Sequence, residues 1–308
     1  MSVRALSPIL AEKARVELNE DPKRIPGDLQ HLKDWIAKQP HLRVRTDDQW
    51  LLIFLRGCKF SLEKAKQKLD LFYTFRNMAP EFFRIKHTNP LFEDILSKGI
   101  MIILPKPIGP DSPMVGIFRP GVSDPNKYNI MDVMAVSNII QKIVLVDNDN
   151  ASVAGFQSIM DLEGSTMAHF TQLSPFQMKK MMVFSQDAAP IRMKGFHYLN
   201  TPSGFETVFN LSKSFMNEKN RSRLYVHNKN FNELYKHIPQ DVLPAEYGGN
   251  GGTIAEILNY WRQKVQDYSA WLEEDDTFGV DESKRPGKPK TAEDLFGLDG
   301  TFRKLEFD

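Results

Sequence analysis

The chain has 308 residues, 41% hydrophobic and 26% charged, enough to bury a sizeable core and long enough to suggest two domains. Forty basic against thirty-nine acidic side chains leave a net charge of +1, which argues against the basic excess of a bulk nucleic-acid binder. One cysteine, Cys58, excludes an internal disulfide and a thiolate-rich zinc site.

The first thirty residues are charged throughout and lack the apolar stretch of a secretory signal. No run approaches the roughly 20 apolar residues that span a bilayer. Asn150, Asn210 and Asn220 each open an N-x-S/T sequon, expected to go unread without a signal. The expectation is a cytoplasmic protein.

Residues 1–95 read as a three-helix N-terminal domain. Leu29, Leu32, Trp35 and Ile36 recur at helical spacing after Pro26-Gly27. Thr46 is the expected N-cap of a second helix, with Asp47 and Asp48 in its first turn and an apolar run from Trp50 to Leu55. A third helix follows Ser61 and carries Leu69, Phe72, Tyr73 and Phe75.

From about residue 98 short apolar segments alternate with helical ones. Ile100–Leu104, Met114–Phe118, Phe156–Leu162, Gly195–Leu199 and Leu224–His227 read as strands, with amphipathic stretches near 130–147, 174–187 and 203–217. Strands separated by helices imply crossovers and a mostly parallel sheet, an α/β domain over 96–274. Val242–Gly252 reads as an irregular turn, and a last helix is expected over about 253–272. Residues 275–308, acidic and then rich in Lys, Pro and Gly, read as a mobile tail with Leu295-Phe296 as its docking point.

Catalytic motifs are lacking. There is no G-x-S-x-G elbow, no G-x-x-x-x-G-K-[ST] loop and no H-E-x-x-H pair. Gly248-Gly249-Asn250-Gly251-Gly252 follows Leu243-Pro244 rather than a strand and reads as a structural loop. Asp161 and Glu163 share one side of a strand end, where a carboxylate pair can do acid–base work or simply hold a loop. His197 and His227 lie within apolar strands and read as hydrogen-bonded core residues rather than metal ligands. The expectation is therefore a protein that is not an enzyme and needs no cofactor or metal.

Three features remain. Over 201–217, Phe205, Val208, Phe209, Ser212, Phe215 and Met216 form one helical face, against Glu206, Asn210, Lys213 and Ser214 on the other. Periodicity is equally compatible with an ordinary surface helix packed on its core. The stretches 130–147 and 174–187 are rich in methionine, which suits either an adaptable ligand wall or a loosely specified core. Arg192 and Lys194, then Lys219, Arg221 and Arg223, form a basic cluster around the amphipathic helix. Its residues complement the helix C-terminus or meet anionic headgroups, at about 1 kcal/mol per basic residue.

Four segments in register resemble the CRAL-TRIO family of lipid-binding proteins, which includes carriers of tocopherol and retinaldehyde. They are Phe54-Leu55-Arg56-Gly57-Cys58-Lys59-Phe60, Met160-Asp161-Leu162-Glu163-Gly164, the run from Ala189 to Pro202, and Leu243-Pro244-Ala245-Glu246-Tyr247-Gly248-Gly249. Order and spacing match from about residue 25 to 272. The resemblance implies a helical domain followed by a lipid-binding domain whose cavity lies beneath a mobile gate helix at about 202–217. By position it assigns the pocket to Met134, Ser137, Gln141, Phe156, Met160, Met181, Phe184, Ile191, Phe205, Val208 and Met216, to which the apolar face adds Phe209. It places a phosphoinositide-binding surface on Arg192, Lys194, Lys219 and Arg223, with Arg221 among them in the sequence. One basic position of that surface falls on Cys58 here, with Lys59 beside it. The glutamate with which phosphatidylinositol exchangers bind inositol is Ile191 here, and an apolar residue accepts no hydroxyl hydrogen bonds.

The expected function is that of a monomeric carrier. It holds one retinoid, tocopherol-like or other isoprenoid lipid and exchanges it at phosphoinositide-containing membranes by transient peripheral association. The alternative is a lipid-sensing adaptor whose cargo regulates a protein partner bound at the tail.

Overall fold

A computed structural model describes residues 3–297. The helical part begins with α1 (Pro8–Leu18), capped by the Ser7 hydroxyl, and α2 (Ile25–Ala37). After the short strand β1 (Leu42–Arg43) come α3 (Asp48–Gly57), α4 (Leu62–Met78) and α5 (Pro90–Ser97). Asp47, one residue beyond the expected Thr46, caps α3. Its extended backbone lets the carboxylate accept from the Trp50 amide at 3.1 Å. Trp50, Phe54 and Phe72 meet edge to face at 5.5–5.9 Å, and the Trp50 indole donates to the Tyr73 hydroxyl at 3.0 Å.

The α/β part runs β2 (Met101–Ile103), β3 (Met114–Phe118), α6 (Ile130–Asp147), α7 (Asp149–Val153), β4 (Phe156–Asp161), α8 (Met167–Thr171), α9 (Pro175–Val183) and β5 (Met193–Leu199). It continues with α10 (Phe205–Ser214), α11 (Glu218–Arg221), β6 (Leu224–Asn228), α12 (Phe231–Tyr235), α13 (Ile254–Asp267) and α14 (Ser269–Asp275). The helix expected over 253–272 is thus two helices, broken at Tyr268. The chain then passes through β7 (Gly279–Val280) and α15 (Ala292–Phe296).

Strand order is β2-β3-β4-β5-β6, with β2 antiparallel to β3 and every later pair parallel. Each parallel step moves the same way across the sheet, so right-handed crossovers carry α6, α9 and α10 over one face. Alternation then divides the strand residues. Val115, Ile117, Ile159 and Leu199 lie fully buried on one side, whereas Phe118, Ser158, Met160 and Phe196 are only half-buried on the other. On that second face Met114 and Phe156 join the main core, while Met160, Phe196 and Tyr198 lie in a separate cluster with Phe205 and Phe209 of α10.

The expectation of a mobile tail is corrected over residues 276–297. Val280 and Gly279 of β7 pair with Leu42 and Arg43 of β1. The Arg285 guanidinium makes two 2.9 Å bonds to Asp70 of α4, and Lys290 reaches the same carboxylate at 2.5 Å. Phe296 is 1% exposed, its ring 5.8 Å from Phe75 and 5.9 Å from Phe176. A charged composition reads as solvated, but these cations share the half-buried Asp70, Arg285 also pairs with Glu282, and the aromatic has a socket. Residues 298–308, the rest of that expectation, lie outside the described residues.

Candidate functional site

Helix α10 starts where Gly204 adopts φ +83°, a left-handed turn that lets the chain swing from Pro202 onto the sheet. Phe205 and Met216 are buried, and Val208, Phe209, Ser212 and Phe215 are half-buried. Glu206, Asn210, Lys213 and Ser214 face outward. Phe205 and Phe209 lie 5.1 Å apart and 5.3 and 5.1 Å from Tyr198 of β5, within a cluster that includes Met160, Leu162, Phe196 and Leu224. This cluster is separate from the main core.

The far end of α10 is held by polar groups that the sequence reading missed. The Gln186 side chain donates to the Phe215 carbonyl at 3.1 Å and accepts from the Asn217 amide at 2.8 Å. Arg221 folds back to donate to the carbonyls of Met216 and Ser214 at 2.8 and 3.4 Å, satisfying groups that helix ends leave unpaired. Arg221 is therefore engaged as a helix cap.

The other assigned pocket residues divide. Phe156 and Met160 share one face of β4, Phe156 buried in the main core and Met160 half-buried in the cluster under α10, and Met134 and Gln141 are half-buried on α6. Ser137 is buried and donates to the Val133 carbonyl at 2.7 Å, a bond within its own helix. Met181 and Ile191 pack half-buried on the main core. Phe184 is placed elsewhere. Its ring lies 5.0, 5.8 and 5.7 Å from Phe75, Phe82 and Phe83, so it joins the helical domain rather than α10. Both sides of α9 are apolar, and sequence alone could not say which side a given ring takes.

The basic cluster is partly committed. Glu17 of α1 lies 2.9 Å from Arg192 and 2.8 Å from Lys194, through one carboxylate oxygen. Burial alone would raise the Glu17 carboxyl, but the hydrogen bonds from Lys194 and Arg192 pull it down to about 2. Arg223 donates to the Met193 carbonyl. Lys219 is exposed, and its pKa is lowered by partial burial and by the fields of Arg223, Arg192, Lys59 and Lys194. Lys59 of the helical domain therefore joins this patch, while Cys58 is buried and its thiol is pushed up by desolvation.

Groups considered for chemistry are engaged structurally. Asp161 accepts from the Tyr247 hydroxyl at 2.6 Å and from Asn200 at 2.8 Å, and Glu163 is exposed. A Cβ on Gly249 would lie 2.1 Å from the Leu243 carbonyl, so the glycine loop folds on itself. Among the described residues no group of three or more His, Cys, Asp or Glu side chains is arranged to hold a metal ion. No described helix is long and apolar enough to cross a membrane.

His197 lies on the opposite side of the sheet, 2.9 Å from His227 and 2.7 Å from the Gln157 side-chain amide oxygen, and stacks on Tyr225. Burial, then His227 and His237, push its pKa down to about 3. A histidine kept neutral in the fold but protonated when unfolded stabilises fully above pH 6.5, and that contribution is lost as pH falls toward 3. Urea unfolding at pH 7 and pH 5 should show stability dropping by up to about 1.4 kcal/mol per pH unit. His197→Asn should flatten this slope, and an unchanged slope would count against the assignment.

The CRAL/TRIO domain profile matches residues 97–249, and the Pinta-like UBA domain profile matches residues 21–91. Alpha-tocopherol transfer protein-like from Homo sapiens is 33% identical over 252 residues, 81% of this chain and 72% of that protein. Clavesin-2 from Homo sapiens is 28% identical over 285 residues, 92% of this chain and 85% of that protein. The crystal structure of Sfh5 overlays with a TM-score of 0.48 at 13% identity, covering 85% of this chain and 98% of that one.

Proposed function

The chain belongs to the CRAL/TRIO family, and from that premise we propose that it carries one small hydrophobic lipid between the sheet and α10, exchanging it at anionic membranes. The observation that carries this reading is the cluster of Met160, Phe196 and Tyr198 on the sheet with Phe205 and Phe209 of α10, separate from the main core and with Met160 and Phe196 only half-buried. A retinoid, a tocopherol or another isoprenoid suits a wall of methionines and aromatics. A cargo burying ~300 Å² of apolar surface gains ~7 kcal/mol before entropic costs. Ile191 in place of an acidic residue disfavours an inositol lipid as cargo. In this reading the site is one of binding and release.

Lys219, Lys59 and Arg223, with Arg192 and Lys194 behind Glu17, form the membrane contact in this reading. The rival adaptor reading placed its partner on the tail, and residues 276–297 of that tail are occupied by internal contacts.

The test is transfer of fluorescent tocopherol from phosphatidylcholine vesicles to acceptors with or without phosphatidylinositol 4,5-bisphosphate. Transfer to the anionic acceptor should be several-fold faster, and Lys59→Glu with Lys219→Glu should abolish that difference. No transfer to either acceptor would overturn the carrier reading. Equal rates to both would overturn membrane docking through the patch.

A further inference from the structure

Helix α1 lies ahead of the residues that either family profile matches. It packs through a small cluster of its own, Leu10, Ala14 and Leu18 around Val153 of α7, apart from the main core. Those three recur every fourth residue, and Lys13 and Glu17, each one position earlier than a member of the stripe, fall together on its flank. That flank meets the approach to β5. One Glu17 carboxylate oxygen accepts from Arg192 at 2.9 Å and from Lys194 at 2.8 Å, and the other lies 3.3 Å from Lys13. Arg192 is held from a second side, where it donates to the Val153 carbonyl.

Lys59 and Lys219 of the same basic patch are exposed, whereas Arg192 and Lys194 already have an anion. A guanidinium and an ammonium that share one carboxylate oxygen cannot give the same hydrogen bonds to a phosphate while that carboxylate stays. The site is open enough for exchange. The side chain of Glu17 is 32% exposed, and those of Arg192 and Lys194 are 13% and 24% exposed, so a phosphate reaches the pair from solvent. The displaced carboxylate also has somewhere to go, because Lys13 holds its other oxygen one helical turn away.

We propose that Glu17 is an autoinhibitory counter-ion on Arg192 and Lys194, which the phosphates of an anionic lipid headgroup displace before the chain docks fully. This rests on docking through the basic patch. The contact weakens docking and keeps it reversible, as a carrier that leaves each membrane needs. Competition is reciprocal, so a headgroup that takes the two cations loosens α1 to the same degree.

The test measures binding of the full chain to phosphatidylcholine vesicles with and without phosphatidylinositol 4,5-bisphosphate. Glu17→Gln should bind the anionic vesicles at least about five-fold more tightly, the scale of one further basic residue at such a surface. Glu12→Gln makes the same change in net charge on the solvent side of α1, where Glu12 pairs with Arg15, and should give a much smaller gain. In a chain carrying Arg192→Gln and Lys194→Gln, the gain from Glu17→Gln should vanish. No gain, an equal gain from Glu12→Gln, or a gain that survives loss of the two cations would each overturn the competition. A readout that needs no variant is amide hydrogen exchange over Pro8–Leu18, which should quicken when the unmutated chain docks. Protection unchanged or raised there would also overturn it. If the unmutated chain binds neutral and anionic vesicles equally, docking through the patch itself fails, and that result is distinct from the others.

Discussion

A chain carrying Phe205→Asp is expected to lose its cargo while keeping its fold. Phe205 is 7% exposed, and its ring lies against Tyr198 and Phe209, where it closes the first turn of α10 onto the sheet. Removing a buried aromatic forfeits roughly 1.5–3 kcal/mol of apolar burial, and a carboxylate there stays ionised only by lifting the helix into water. Retention should therefore fall at least ten-fold, and by a hundred-fold if the helix stays lifted. An acidic residue in the first turn suits the helix dipole, so α10 itself is not weakened. Thermal unfolding separates the two effects. Extraction of hydrophobic ligand at the unmutated level by a folded Phe205→Asp chain would refute the gate assignment.

The second large effect is on stability. Arg56, within the segment that resembles the family, is fully buried at the end of α3. Its guanidinium makes bonds of 2.9 and 3.0 Å to Glu20, between α1 and α2, and of 2.8 Å to Asp149 and 3.1 Å to Ser152 of α7. It joins the helical domain to the α/β domain at a point of high charge density. Arg56→Ala leaves buried Glu20 without its cation and Asp149 with Arg4 alone, a change that costs about 3–5 kcal/mol. At roughly 2–4 °C per kcal/mol the melting temperature should fall by about 6–20 °C. Circular dichroism against temperature gives the answer, and a fall below about 3 °C would show that the pair is dispensable. Gly57 beside it is constrained differently. A Cβ there would sit 3.2 Å from the Pro190 carbonyl oxygen, so Gly57→Ala should cost less and act by displacing the segment before β5.

Much of the fold is legible along the chain because the signals are local. Five apolar segments became the five strands of the sheet, and the stretches near 130–147, 174–187 and 203–217 became α6, α9 and α10. Strand alternation and helical periodicity follow from backbone geometry and need no knowledge of partners. The amphipathic face from Phe205 to Met216 was readable for the same reason. The contact of Tyr198 with Phe205 and Phe209 was less so, since alternation from Gly195 gives only its face of the strand.

What the chain alone could not decide were the choices among partners. The apolar residues of α9 and of the turn after it look alike in sequence, and only packing sent Phe184 to Phe75 and Phe82 while Met181 stayed half-buried at the edge of the main core. Charge reads the same whether solvated or paired. Glu17 on Arg192 and Lys194, Lys59 beside Lys219, and Arg285 and Lys290 on Asp70 come from segments up to 220 residues apart. Sequence by itself determined which residues are helical, extended, apolar or charged, since each property belongs to a residue and its near neighbours. Tertiary structure decided which of them meet, because long-range contacts depend on how whole faces and charges pair once the chain has closed.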